Sequence, residues 1–195
     1  PERIERFAAA LVADGTADRA ALLQTVILVK SARALRFIDT DVPGIAVHEA
    51  GAEDIDVVMD LAHTLDLHHA TAPMFWPIIR EAHAAARAFN VEALKDPATP
   101  YFVAHKDGRP AGMQTFLRPG FTPFVVPHAT DVYLFEGVVD GAVRGGGVGT
   151  ELLEHSMRWA REQGHLTCTL HFASGNPSGA PFWLRHGFIP VTHTM

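Results

Sequence analysis

The spacing of apolar positions changes from stretch to stretch along the chain, and that spacing predicts the elements. Ile4, Phe7, Ala8, Leu11 and Val12 fall on one helical face. Asp14-Gly15-Thr16 reads as a turn. A second helix is predicted from Ala17 to about Phe37, although Thr25–Val29 alone also suits a strand. Asp41-Val42-Pro43-Gly44 marks a boundary, so residues 1–44 are expected to be an N-terminal helical extension and 45–195 the main domain. Ile45–Glu49 reads as a strand. Ile55, Val58, Met59, Ala62 and Leu65 then recur at helical spacing, with Glu53 and Asp54 where a helix dipole favours carboxylates. After a polar and aromatic connection, Pro77 opens a helix with Ile78, Ala82, Ala85 and Phe89 on one face.

The second half changes period. Tyr101–His105 and Ala111–Leu117 flank Asp107-Gly108 and predict a hairpin. A loop over 118–130 carries Pro119, Pro123 and Pro127. Tyr133–Val139 is an apolar strand. Leu152, Leu153, Ser156, Met157 and Ala160 give a helix stopped by Gly164. Leu166–Ala173 is a strand, Asn176–His186 a short helix capped by Gly187, and Phe188–Thr194 a last strand. The order from residue 45 is strand, two helices, hairpin, strand, helix, strand, helix, strand.

Between strand and helix lies Arg144-Gly145-Gly146-Gly147-Val148-Gly149-Thr150. A helix starting in such a loop aims unpaired N–H groups and its positive dipole end at one spot. Glycines there let a ligand come close to the backbone, which makes a phosphate or pyrophosphate cradle. A dinucleotide fingerprint does not fit, because its last glycine would fall on Thr150 or Leu152. A P-loop does not fit either, because Gly147-Val148 stands where Lys-Ser/Thr is needed.

Composition narrows the class. The 195 residues, 48% hydrophobic and 19% charged, suffice for one domain plus an extension. A net charge of -6 argues against nucleic acid or an anionic membrane as partner. The single cysteine, Cys168, excludes an internal disulfide and suits a reducing, cytoplasmic setting. No signal peptide or bilayer-spanning apolar run is present in the sequence. The start at Pro1 leads us to expect further residues before it.

The spacing that does fit is Arg/Gln-x-x-Gly-x-Gly/Ala, here Arg144, Gly147 and Gly149. It resembles the acetyl-CoA loop of GNAT-type N-acetyltransferases. Asn176-Pro-Ser-Gly-Ala-Pro-Phe-Trp-Leu-Arg-His-Gly-Phe188 resembles the same family's asparagine-containing helix ending in Gly-Phe. The resemblance covers residues 45–195. It implies an α/β (α+β) GNAT fold, a mixed and mostly antiparallel central sheet flanked by helices, and acetyl-CoA as co-substrate. It assigns the pyrophosphate to the backbone of Gly145, Gly146, Gly147, Val148, Gly149 and Thr150, beside Arg144. The pantetheine arm goes to Val138 and Val139 on one side, with Gly137 and Glu136 near the reacting carbonyl, and to Asn176 on the other. From its position alone, Asn176 is equally a helix cap.

Transfer to an amine needs a group that takes a proton. Glu136 is the only acidic residue within Tyr133–Val139 and is the candidate base, with solvent exposure as its alternative. Asp131, at the start of the same strand, is the second candidate by resemblance. Trp183 stands where relatives often carry a proton-donating tyrosine, four residues before Gly187. Indole has no usable acidity, so Trp183 is expected to pack against the pantetheine or the core. His68, Phe75 and Trp76 lie in the region that walls the acceptor site in the family.

Twelve histidines raise a metal reading, but no H-E-x-x-H or Cys/His pattern exists, and adjacent His68 and His69 should point to different sides of a helix. No metal is expected. The expected function is acetyl transfer to a primary amine of a small molecule, without nucleic acid or membrane. The rivals are a non-catalytic acyl-CoA sensor, a protein or peptide N-acetyltransferase, and a nucleotide-binding module. For residues 1–44, packing on the domain, a homodimer contact and the tail of a preceding domain all stay open.

Overall fold

The computed structural model describes residues 25–31, 42–69, 82–117, 131–173 and 176–194. Its strands are β1 (Thr25–Ser31), β2 (Ile45–Glu49), β3 (Tyr101–Lys106), β4 (Arg109–Leu117), β5 (Asp131–Val139), β6 (Thr167–Ala173) and β7 (Ile189–Thr194). Its α-helices are α1 (Ile55–His69), α2 (His83–Ala93), α3 (Val148–Glu162) and α4 (Gly179–Arg185). The strands form one sheet in the order β2-β3-β4-β5-β6-β1-β7. Every neighbouring pair is antiparallel except β5 and β6.

β1 corrects the helix predicted over 17–37. Thr25, Val26, Ile27 and Val29 are β-branched, which costs a helix side-chain freedom and suits a pleated sheet. Pairing on both edges, with β6 from Thr25↔Ala173 to Ser31↔Thr167 and with β7, makes this segment an inner strand. Part of the expected extension therefore belongs to the main sheet.

The two faces of the sheet bury different clusters. Leu152, Leu153, Met157 and Ala160 of α3 pack on Phe102, Phe116, Val132, Leu134 and Leu170. Val58, Leu61 and Leu65 of α1 pack on Tyr101, Val103, Met113 and Val138. Neighbours along β3 thus alternate between the clusters, as the two-residue period of a strand requires. The β3–β4 turn carries φ of 51° at Asp107 and 76° at Gly108, the geometry a tight hairpin favours.

One irregularity sets up the site. The β4–β5 register shifts between Thr115 and Phe116, leaving Phe135 as the extra residue of a bulge. Glu136 then lies opposite Thr115, which lies opposite Tyr101 of the α1 cluster. Without the bulge, Glu136 would face α3; with it, Glu136 shares the α1 face with Tyr133.

Met157 is fully buried between α3 and the sheet. Met157→Ala should cost about 2–5 kcal/mol of stability in urea unfolding, the usual range for such a cavity. An unchanged midpoint would show that α3 does not pack as described.

Candidate active site

The site is built at a fork. β5 and β6 pair only from Asp131↔Thr167 to Leu134↔Leu170. Beyond that point Phe135–Val139 and His171–Ala173 are not paired to each other, and a cavity of about 700 Å³ opens between them. Its walls run from the glycine loop and the start of α3, along β5, to His68 and His69 at the end of α1. Trp183, Phe182 and Asn176 close the far side.

At the loop end, the Ala142 N–H donates to Asp140 Oδ1 at 2.9 Å, and Arg144 Nε donates to the Val139 carbonyl at 3.1 Å. Gly147 has φ of 92°, a left-handed conformation, and the helix begins at the next residue. The N–H groups of Gly146 and Thr150 are taken by the carbonyls of Val143 and Gly147 at 3.2 and 2.9 Å. Those of Gly145, Gly147, Val148 and Gly149 take no backbone carbonyl among the described residues. Four of the six N–H groups expected to hold the pyrophosphate thus make no bond to a described backbone carbonyl.

The glycines divide the work. A Cβ on Gly147 would meet Val42 and Ile45 behind the loop, at 3.4 and 3.5 Å. A Cβ on Gly149 would meet Phe182 across the cleft at 3.2 Å. Gly149 thus lets Phe182 of α4 pack close against the start of α3, and Gly147 is the glycine that turns the chain. Lys106 Nζ sits where a Gly146 Cβ would be, which brings a cation from the β3–β4 hairpin against the loop. Asn176 Oδ1 accepts from the Ser178 and Gly179 N–H groups, each at 3.1 Å, so it caps α4 while lining the cavity.

At the other end stands Glu136, half-buried and lining the cavity. Burial, and then the Asp66 carboxylate, push its carboxyl from 4.5 up to about 7. Burial and then Glu136 push the Tyr101 phenol up to about 12, and its hydroxyl donates to Asn90 Oδ1 at 2.7 Å. His68 and His69 both line the cavity with rings 6.5 Å apart, against the expectation that they diverge. Burial, then His68 and His171, hold His69 below the usual imidazole range. Burial does the same for His171. The Tyr133 hydroxyl bonds to His171 Nδ1, and the two rings stack at 5.6 Å.

Val138 and Val139 line the fork as expected. Trp183 lines it too, edge-to-face with Phe182 at 4.8 Å and Phe188 at 5.3 Å. Asp131 enters β5 at the closed end, opposite Thr167. Phe75 and Trp76 lie outside the described residues. Sequence reading missed Tyr133, His171 and Lys106. The first two share a face only through parallel pairing across the fork, and Lys106 meets the loop only through hairpin packing. Among the described residues no three His, Cys, Asp or Glu side chains gather as a metal site, and no helix is long and apolar enough to cross a membrane.

The model of the acetyltransferase (GNAT) family matches residues 62–188, well over half of the chain. No curated protein matches it in sequence. Aminoglycoside N-acetyltransferase AAC(6')-Iy, in complex with the bisubstrate analog CoA-S-monomethyl-acetylneamine, has a TM-score of 0.64 at 18% identity, over 77% of this chain and 95% of that one. A predicted acetyltransferase from Clostridium acetobutylicum, with acetyl-CoA, has a TM-score of 0.61 at 16% identity, over 75% and 91%. A conserved protein of unknown function from Staphylococcus epidermidis has a TM-score of 0.60 at 14% identity; the match covers 87% of this chain and 58% of that longer one. At these identities the likeness is one of fold.

The Glu136 carboxyl holds its proton more tightly in the folded chain than in the unfolded one. Its contribution to stability is therefore present below pH 4.5 and is lost as pH rises through about 7. Glu136→Gln should flatten that part of the stability–pH curve and leave the variant the more stable form above pH 7. Coincident curves for the two proteins would show that the carboxyl is solvated.

Proposed function

We propose, starting from the fact that the chain belongs to the acetyltransferase (GNAT) family, that it transfers an acetyl group from acetyl-CoA directly to a primary amine of a small molecule. One observation carries the reading: a single cavity joins an anion cradle at one end to a carboxyl raised to about 7 at the other. The cradle suits a pyrophosphate, with N–H groups at Gly145, Gly147, Val148 and Gly149 that meet no described backbone carbonyl, and the α3 dipole behind them. The unpaired edge of Phe135–Val139 offers backbone groups to an amide-bearing arm, as a sheet edge does to an added strand. Bound there, acetyl-CoA supplies an activated thioester.

The chain's own residues handle the proton. A lysine-like ammonium has a pKa of about 10.4 and must lose a proton to attack. Glu136, ionised above about pH 7, takes that proton directly or through one water. Asp131 remains the alternative base. The acidic balance of the chain suits a cationic amine, and a structural neighbour is named an aminoglycoside N-acetyltransferase. His68 and His69, with Phe75 and Trp76 before the next helix, are proposed to wall the acceptor. The setting is proposed to be cytoplasmic.

A second reading has its own observation. Trp183 stands in the cavity without an acidic proton, which fits an acyl-CoA sensor without turnover. Thiol release from acetyl-CoA across a panel of amines, with histone-like peptides as the protein arm, separates these readings. Release with small amines supports the proposal; release with peptides alone, or with nothing while CoA binds, overturns it.

Two variants test the two ends. Gly149→Asp places a side chain and a negative charge in the cradle, and CoA affinity should fall at least about tenfold by calorimetry, or 1.4 kcal/mol. Unchanged affinity in the folded variant would refute the cradle. Activity should rise with pH through about 7, because the base must be ionised. Glu136→Gln should lower kcat by about 10²-fold with CoA binding nearly intact. Normal turnover there, with Asp131→Asn inactive, would move the base to the start of β5.

A further inference from the structure

We propose that His171 is a catalytic residue of this acetyl transfer: its Nε2–H, fixed by the Tyr133 hydroxyl, donates a hydrogen bond to the sulfur of the departing CoA thiolate. The inference rests on the acetyl-CoA reading above and adds a residue to it.

The position comes from the fork. Leu134 and Leu170 are the last paired residues of β5 and β6, so His171 is the first residue of β6 beyond the parting. Glu136 follows the parting on the opposite strand, and both side chains line the cavity. A thioester whose carbonyl lies within reach of Glu136 has its sulfur in the narrow part of the fork, between the strands. His171 stands on that side.

The tautomer comes from Tyr133. This tyrosine is 1% exposed and burial raises its pKa, so its oxygen keeps its proton, and in the proposed arrangement it donates that proton to His171 Nδ1. The proton of a neutral imidazole then resides on Nε2. Burial also keeps the ring neutral. The described titratable groups around His171 are Tyr133, which stacks on it, His69, whose charge it opposes, and Glu136 and His68, which line the same cavity. Among these only Glu136 titrates to a negative charge near neutrality. Trp183, on the far wall, carries an indole N–H, a second donor without usable acidity.

The step balances without a strong acid. The amine nitrogen forms a bond to the acetyl carbon and the carbon–sulfur bond breaks. The amine proton passes to the Glu136 carboxylate, and the electron pair leaves on sulfur. His171 keeps its proton and stabilises the charge through a hydrogen bond, as donors in oxyanion holes do. The thiolate is later protonated by solvent, which its ordinary pKa of about 8.5 allows.

The test reads the thiol and not turnover. CoA binding is first established by calorimetry for wild type, His171→Leu, His171→Gln and Tyr133→Phe. The thiolate absorbance of bound CoA is then titrated with pH. The thiol should titrate about one unit lower in wild type than in His171→Leu, a tenfold difference in thiolate at a given pH. His171→Gln keeps a donor near Nε2 and should retain most of the shift. Tyr133→Phe frees the tautomer and should lose part of it. Coincident titrations in wild type, His171→Leu and Tyr133→Phe, with CoA bound in all three, would overturn the role of His171 while leaving the CoA site intact. Absence of CoA binding to wild type would refute the acetyl-CoA reading itself and this inference with it. If His171→Leu does not fold, the comparison of Tyr133→Phe and His171→Gln with wild type decides by the same criterion.

Discussion

The parting of β5 from β6 is the constraint on which the site depends. Two parallel strands with covered faces normally stay paired, because an unmade backbone hydrogen bond away from water is costly. Here pairing stops at Leu134↔Leu170, while both strands continue. The bulge at Phe135 lies at the same point and turns β5 so that Glu136 and Val138 face α1. α4 lies across the opening, with Phe182 and Trp183 packed against the α3-side core. Among the described residues, the facing edges of Phe135–Val139 and His171–Ala173 are not paired to each other.

Electrostatics then gives the two ends of the cavity opposite characters. At the α3 end, four N–H groups, the helix dipole and the nearby Lys106 ammonium favour an anion. At the α1 end stands a half-buried carboxyl whose pKa burial and the Asp66 charge raise, in a cavity shared with His69 and His171, which burial holds below the usual imidazole range. The proposed pair of acetyl-CoA and an amine matches both ends. Burial raises the Glu136 pKa, so its ionisation lowers stability above neutrality.

Much of this was legible in the sequence because it was local. The glycine loop, its helix, the Asp107-Gly108 turn and the Asn176 helix are each set by residues a few positions apart, and their order carried the family resemblance. What was missed was non-local. β1 carries a helix-compatible period, and its strand character comes from two neighbours more than a hundred residues away in sequence. His68 and His69 diverge on an ideal helix, yet both reach the cavity from the last turn of α1. That the carbonyls of Val143 and Gly147 claim the N–H groups of Gly146 and Thr150 is a matter of loop geometry that residue spacing does not give. Tyr133 and His171 are separated by 38 residues and meet only through the β5–β6 register.

The most direct test of the central claim is an amide-resolved titration of the isotope-labelled chain with CoA by nuclear magnetic resonance. If the fork and the cradle form one binding site, the amides of Gly145, Gly147, Val148 and Gly149 should shift together with those of Phe135–Val139, saturating at a single dissociation constant. Amides of β2 and β7, at the sheet edges, should stay in place. Shifts confined to other surfaces, or none on saturation with CoA, would contradict the assignment of this fork as the catalytic cleft.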